Sequence, residues 1–332
     1  MKVLYALGNY PQLSESYIEA EIDFVLKAGV DVQVWSTHHN PSPAVAQVPV
    51  HRNLLIDAVS TFKPDILHVH YLIFARRFEW DLGPNLKLPI TVRAHSFDFS
   101  DLTATATFNI PRVKKVYLFP HLARRVPHEK TVALPVAFNA GLHRPAENKV
   151  DDMVLRLAAG KPGKGLEGIF SIARLCPRHE FTVGIAKVTG FEGYFHKLNL
   201  LNVGLAKPVK LMVDVPSEKA VALTAQAGIY LDTSDPSAHH FGMPISIAEA
   251  LATGSTVLIR DSMEAREYAG DAAFYYSTPE EAAAIINSLS AMSDEAKRLQ
   301  RERAIAQAQL YTTDAVLPRL LHDWEELLAA RR

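Results

Sequence analysis

The chain has 332 residues, 48% hydrophobic and 21% charged, with a formal net charge of −1. That length exceeds what one core usually holds, so two domains are expected. The near-neutral balance argues against a general nucleic-acid binder. No apolar run is long enough for a membrane span, and the single cysteine, Cys176, excludes an internal disulfide and suits a reducing cytoplasm.

Met1 to Leu7 is too short for a signal peptide and is followed at once by Asn9, Gln12 and Glu15, so Lys2 to Leu7 reads as a buried strand. Gly8-Asn9-Tyr10-Pro11 reads as a turn. Ser14 or Ser16 can cap the next helix, with Ser16 and Glu19 spaced as a capping box. Ile18, Ile22, Val25 and Leu26 share one helical face, Gly29 ends it, and Val30 to Trp35 is the following strand. Strand, helix and strand in so short a stretch make a βαβ unit and hence a parallel sheet. Further strands are expected at Ile66 to Tyr71, Ile90 to Ala94, Val116 to Phe119 and Val132 to Phe138. The polar stretch from Asn139 to Lys149 separates two halves, 1–145 and 146–312.

The pattern then restarts. Met153 to Ala158 is a strand, Gly160 to Gly165 a glycine-rich loop, and Leu166 to Leu175 a helix. Strands follow at Phe181 to Ala186, Val209 to Val213, Gly228 to Asp232 and Thr256 to Ile259, with Ser217 capping a helix that ends at Ala227. The remainder reads as helices over Pro279 to Leu289, Asp294 to Leu310 and Asp314 to Ala330. Two α/β halves in succession offer a ligand cleft at the carboxyl ends of their strands.

Charge is uneven. Residues 1–150 hold 16 Lys+Arg against 13 Asp+Glu, and the remainder 19 against 23, so +3 and −4 sum to −1. The clusters Arg76-Arg77, Arg112 to Lys115 and Arg124-Arg125 are either a solvated face or a surface for a phosphate-bearing acceptor or anionic lipid headgroups, which would give peripheral membrane contact through the first half.

The chemistry concentrates after the strand that ends at Asp232. His239-His240-Phe241-Gly242-Met243-Pro244 forms a loop that opens a short helix, and backbone N–H groups with the positive end of a helix dipole suit a diphosphate. Glu249, about one turn in, can accept hydrogen bonds from a ribose diol. Lys161 and Lys164 in the Gly160–Gly165 loop can neutralise a diphosphate leaving group, or the segment is an ordinary surface turn. Gly8 and Asn9 either let a phosphate approach or only turn the chain. His68 and His70, two apart on a strand, face one side and can begin a metal site, although no third ligand stands near them in sequence. No Asp-x-Asp occurs, so no metal is expected.

The order of these pieces resembles GT-B glycosyltransferases of the GT4 kind. Gly242, Pro244, Ser246, Glu249, Ala250, Ala252 and Gly254 match their E-G-x-P-x-S-x-x-E-A-x-A-x-G signature, except that its leading Glu falls at Phe241 or, in another alignment, at His239. The segment from Gly254 through Glu267 to Ala272 is similar to their G-T-P-V-I-A-x-D-x-G-G-x-x-E-x-x-G-D-A. Tyr10 to Ile22 resembles the Y-P-x-L-S-E-T-F-I-x-x-E-I opening of polysaccharide-building members. Leu67 to His70 and Arg93 to Asp98 resemble H-x-H-F and T-x-H-x-x-D. The loop departs from the usual G-R-x-x-x-x-K-G, with Lys161 for Arg and two residues fewer.

The resemblance implies an α/β GT-B fold: two Rossmann-like domains facing across a cleft, with a C-terminal helix, about 313–332, crossing back to the first. It implies retaining, metal-independent transfer of a sugar from a UDP- or GDP-linked donor to a hydroxyl of a glycan, lipid-linked glycan or metabolite. Glu249 would hold the ribose, with Gly242, Met243 and Pro244 in the donor loop; His239 and His240 would replace the missing Glu or merely line the loop. His95 would contact the donor sugar near the reacting carbon, with Lys161 and Lys164 on the leaving group. Asp98 and Ser14 would lie on the acceptor side. Two rivals remain, a nucleotide-sugar epimerase on this scaffold and a non-catalytic protein that binds a nucleotide sugar or a partner.

Overall fold

The computed structural model describes residues 1–38, 44–236 and 241–331. The chain divides into two compact units, Met1–Ala137 with Thr313–Arg332, and Phe138–Thr312. The division thus falls ahead of residue 145, and the polar stretch from Asn139 belongs to the second unit.

In the first unit seven strands, β1 Lys2–Asn9, β2 Asp31–His38, β3 Val50–His51, β4 Ile66–His70, β5 Ile90–Arg93, β6 Val113–Leu118 and β7 Thr131–Ala133, form one parallel sheet ordered β3-β2-β1-β4-β5-β6-β7. Helices α1 Ser16–Lys27, α2 Leu55–Phe62, α3 Leu72–Leu82, α4 Asp101–Phe108 and α5 Pro120–Arg125 connect them. Val3 through Leu7 are all buried, which explains their unbroken apolar run: helices on both faces leave no wet side to a central parallel strand. Ile18, Ile22 and Val25 pack α1 against that sheet, and Gly29 at φ 83 ends the helix, as its freedom in the left-handed region allows. The expected turn at Gly8 and Asn9 is instead the end of β1, and the Ser16–Glu19 capping box does not form, because Ser16 is already helical behind a 3-10 turn at Leu13–Glu15. The strand expected over Val132 to Phe138 is only β7.

The second unit has six parallel strands, β8 Val150–Ala159, β9 Glu180–Ala186, β10 Lys210–Val213, β11 Ala227–Asp232, β12 Thr256–Arg260 and β13 Ala273–Tyr276, ordered β10-β9-β8-β11-β12-β13. Its helices are α6 Glu167–Leu175, α7 Phe191–Val203, α8 Ser217–Gln226, α9 Ile245–Ala252, α10 Met263–Ala269, α11 Pro279–Leu289 and α12 Asp294–Ala308. Pro216, not Ser217, occupies the cap position of α8, and no side chain caps it.

The chain then rejoins the first unit. The single terminal helix expected from Asp314 is two, α13 Thr313–Val316 and α14 Pro318–Ala329, broken where Pro318 cannot continue the hydrogen-bond ladder. Leu317, Leu320 and Trp324 are fully buried in the cluster that holds Val3, Tyr5 and Ile22, each contributing about 1.5–3 kcal/mol of apolar burial. Among the described residues no helix is long and apolar enough to cross a membrane.

Candidate functional site

In both sheets the strand order reverses beside the first strand of the unit, between β1 and β4 and between β8 and β11. The carboxyl ends at such a reversal are where open α/β sheets take ligands.

In the second unit the loops after β8 and β11 meet there. The Gly160–Gly165 segment contains a 3-10 turn, Pro162–Lys164, closed by Gly165 at φ +59. A Cβ on Gly165 would stand 2.1 Å from the Thr233 carbonyl oxygen, so only glycine permits this approach. The Thr233 hydroxyl donates to the Lys164 carbonyl at 3.1 Å, and the Asp235 N–H donates to the Gly163 carbonyl at 3.4 Å. The lysine loop is thereby fastened to the end of β11. Burial, helped by the nearby Arg156 charge and opposed by Asp232, lowers the Lys164 ammonium to about 8. Lys161 begins the same turn.

The second side of this site is the start of α9. Met243 is buried at φ 45, a left-handed conformation rare for a side chain of its size and found where surroundings over-determine the backbone. Gly242 and Pro244 flank it, and the Tyr268 hydroxyl donates to the Pro244 carbonyl at 3.4 Å. Pro244 occupies the cap position of α9 and makes no side-chain cap hydrogen bond; the Ile247 N–H donates to its carbonyl at 3.0 Å. Glu249 is the fifth residue of α9 and is 9% exposed. His143 Nε2 lies 3.4 Å from its Oε1. Phe241, which stands where the resembled signature has its leading Glu in one alignment, turns its ring onto Tyr268 at 5.7 Å. His239 and His240 lie outside the described residues.

Sequence reasoning missed two features here. His143 sat in a polar stretch read as a boundary. Arg156 and Asp232 form a fully buried ion pair between β8 and β11, and Arg156 also donates to Ser234 Oγ at 2.9 Å and Tyr230 OH at 3.2 Å. The pair holds the first turn of the loop after β11. A lone arginine in the apolar run Met153 to Ala158 was its only sequence signal.

In the first unit His95 is 7% exposed at the end of β5. Its backbone N–H donates to Asp98 Oδ1 at 2.8 Å, while the other Asp98 oxygen accepts from the Leu72 N–H at the start of α3. Asp98 thus ties the loop after β5 to that after β4; burial, opposed by these amide donors, raises its carboxyl to about 6. The Tyr71 and Tyr17 rings lie 4.5 and 5.1 Å from the His95 ring, and Tyr71 has φ 80. Ser14 is half-buried in the turn after β1. The Gly8 carbonyl accepts from the Thr37 and Ser36 hydroxyls at 2.6 and 3.2 Å, and a Cβ on Gly8 would meet Phe74 at 2.8 Å. The glycine therefore serves close packing within the strand.

His68 and His70 do have a third group beside them. Glu21 from α1 completes a buried triangle with metal-ligand spacing. Arg93 and the Tyr5 hydroxyl already take up its carboxylate, so hydrogen bonds and an ion pair satisfy the charge that a cation would. Of the basic clusters, Arg77 pairs with Asp81, Arg112 with Glu79, Lys115 with Asp323 and Arg125 with Asp101, which leaves less charge for an anionic surface than the sequence suggests.

No protein-family model matches the chain, and no curated protein matches it. Among solved structures it is similar to Anabaena HepE in a complex with UDP and glucose, with TM-score 0.80 and 16% identity over 98% of this chain and 100% of that one. It is similar to sucrose-phosphate synthase from Thermosynechococcus elongatus, with TM-score 0.76 and 12% identity over 99% and 100%. A glycosyltransferase from Rickettsia africae gives TM-score 0.73 and 13% identity over 98% of each chain. The two parallel-sheet units therefore make up a GT-B fold along the whole chain. At such identities the likeness establishes the fold, and the chemistry rests on the site.

Proposed function

We propose that the protein is a glycosyltransferase that moves a hexosyl group from a nucleotide diphosphate sugar to a hydroxyl acceptor. The observation that carries this reading is the convergence, at one strand-order reversal, of a glycine-fastened lysine loop, a helix start whose cap residue is a proline, and a buried carboxylate. Amides and Lys164 suit a diphosphate; Glu249, with His143 at one oxygen, suits a ribose diol. Anabaena HepE has been seen with UDP-glucose, which favours a UDP-linked donor. In the reaction the bond from the anomeric carbon to the diphosphate oxygen breaks and a bond to the acceptor oxygen forms. The acceptor proton leaves, and charge grows on the diphosphate. Lys161, Lys164 and the α9 amides would stabilise that charge without a metal. The GT4 resemblance is what supports retention of configuration, a role for His95 at the sugar, and roles for Asp98 and Ser14 on the acceptor side. A glycan acceptor in polysaccharide assembly fits the same resemblance.

Calorimetric titration with UDP and GDP tests the reading. The parent protein should bind UDP, and Glu249→Gln should weaken it by about 1.5–3 kcal/mol, roughly ten- to a hundredfold, because charge-assisted hydrogen bonds are lost. Unchanged affinity in Glu249→Gln, or no binding of either nucleotide, would refute the assignment.

A further inference from the structure

Three histidines of the first unit, His68, His70 and His95, form a cluster of contacts that ends on a carboxylate. Glu21 is 1% exposed. It accepts from Arg93 on one oxygen and from the Tyr5 hydroxyl, at 3.1 Å, on the other. His68 and His70 bring Nε2 to 3.2 and 3.4 Å from that second oxygen, close electrostatic contacts that lie outside hydrogen-bond geometry. Burial favours the protonated acid, but the Arg93 charge and the two imidazoles outweigh it and hold the Glu21 carboxyl well below its usual range.

An ionised carboxylate decides which imidazole nitrogen carries the proton. A ring lone pair facing it at this distance is repelled in a low-dielectric interior, and an N–H is attracted. His70 therefore holds its proton on Nε2. Burial lowers the His70 imidazole to about 4, so the ring is neutral and Nδ1 is a bare acceptor. The group 3.2 Å from that Nδ1 is His95 Nε2. Two lone pairs cannot satisfy each other, so His95 must donate from Nε2. His95 is neutral too, its pKa pushed well down by burial and then by His70 and Arg93. Its remaining nitrogen, Nδ1, has no protein partner among the described residues and lies on a ring flanked by Tyr17 and Tyr71.

We propose that Glu21, acting through His70, fixes His95 in the Nε2–H form, so that His95 offers substrate an unprotonated Nδ1 and accepts from a sugar hydroxyl rather than contacting phosphate. Glu21 and His70 are positioning residues in this scheme, and His95 is the group that touches substrate. The inference rests on the glycosyl-transfer reading for its ligand but not for the tautomer, which belongs to the ligand-free protein. The same logic orients His68: Nε2–H faces Glu21, and Nδ1 accepts from the Thr91 hydroxyl at 2.8 Å.

The test is long-range proton–nitrogen correlation on the full chain labelled with 15N-histidine, with His95 assigned by its loss in His95→Gln. Between about pH 6 and 8, His95 should show a protonated Nε2 and a bare Nδ1. His70→Phe keeps an aromatic ring beside His95 but removes the acceptor, and the single tautomer should give way to a mixture. Glu21→Gln should loosen the preference in the same direction. UDP-glucose should shift the Nδ1 resonance and UDP alone should not. Turnover in His70→Phe should fall on the order of tenfold, the worth of one hydrogen bond, with UDP affinity unchanged. A proton on Nδ1 of His95, or the same single tautomer in His70→Phe, would overturn the proposal. So would equal Nδ1 shifts with UDP and UDP-glucose. Failure of the nucleotide-binding reading would show separately, as an absence of UDP binding.

Discussion

Gly165→Ala is the sharpest mechanical test of the second-unit site. The new methyl would stand 2.1 Å from the Thr233 carbonyl oxygen, so loop and strand end must part by about 1.4 Å to reach the ~3.5 Å that unbonded atoms keep. Alanine at φ +59 itself costs about 1–2 kcal/mol. Parting the two segments also stretches the Thr233–Lys164 and Asp235–Gly163 hydrogen bonds, each contributing about 0.5–1.5 kcal/mol. The sum is about 3 kcal/mol, which for a domain of this size lowers the melting temperature by roughly 6–12 °C. Because the same displacement carries Lys164 with it, UDP affinity should fall as well. Gly168→Ala is the control: its Cβ would meet nothing within 4 Å, and it lies in α6, so it should be neutral or slightly stabilising. Calorimetric melting with and without UDP reads both effects. If Gly165→Ala melts with the parent, the contact with Thr233 is not as described; if it melts low yet binds UDP normally, the lysine loop does not touch the nucleotide.

Lys164 should also leave a signature in pH. Its ammonium is lowered to about 8, so UDP affinity should begin to fall as pH rises past that value, and Lys164→Met should bind weakly with that inflection gone. Stability moves the other way: between about 8 and the ordinary lysine value the unfolded chain holds the proton that the fold has released, so the fold gains stability as pH rises. Lys149, lowered by burial to about 7, adds to the same stability slope, so the Lys164 share is the part of each slope that disappears in Lys164→Met; slopes identical in parent and Lys164→Met refute the assignment. Arg156→Met leaves Asp232 buried without its partner and should cost about 3–5 kcal/mol, read by denaturant titration; a near-neutral effect would show that the pair is open to water. Asp98→Ala strips the Leu72 and His95 amides of their acceptor and should cost about 1–3 kcal/mol in the same assay.

The strands were legible where helices cover both faces, because burial on two sides demands an unbroken apolar run, as in Val3 to Leu7. Val50–His51 is too short to show such a run, and Ala273–Tyr276 lies between helical segments whose alanines mask it. Caps at Ser16 and Ser217 were misread for one reason: a hydroxyl near a helix start matches the spacing rule, but the backbone at these sites begins the helix at the serine itself. The placement of Glu249 early in a short helix and of Lys161 and Lys164 in a glycine-bounded turn was legible because each depends on neighbours along the chain. Glu21 was not, since only the packing of α1 on β4 brings it to His68 and His70. Nor was His143, whose meeting with Glu249 is set by how a polar connection returns across the unit.

The two units are not equally independent as stretches of chain. Phe138–Thr312 is one continuous stretch, and its core cluster draws on that stretch alone. The other unit lacks Leu317, Leu320 and Trp324 until the chain has passed through the whole of its companion. During synthesis residues 1–137 are made before Leu317, Leu320 and Trp324 exist to cover the apolar surface near Tyr5 and Ile22. A late segment of the chain thus closes the core of the unit made first, long after that unit's last strand has been synthesised.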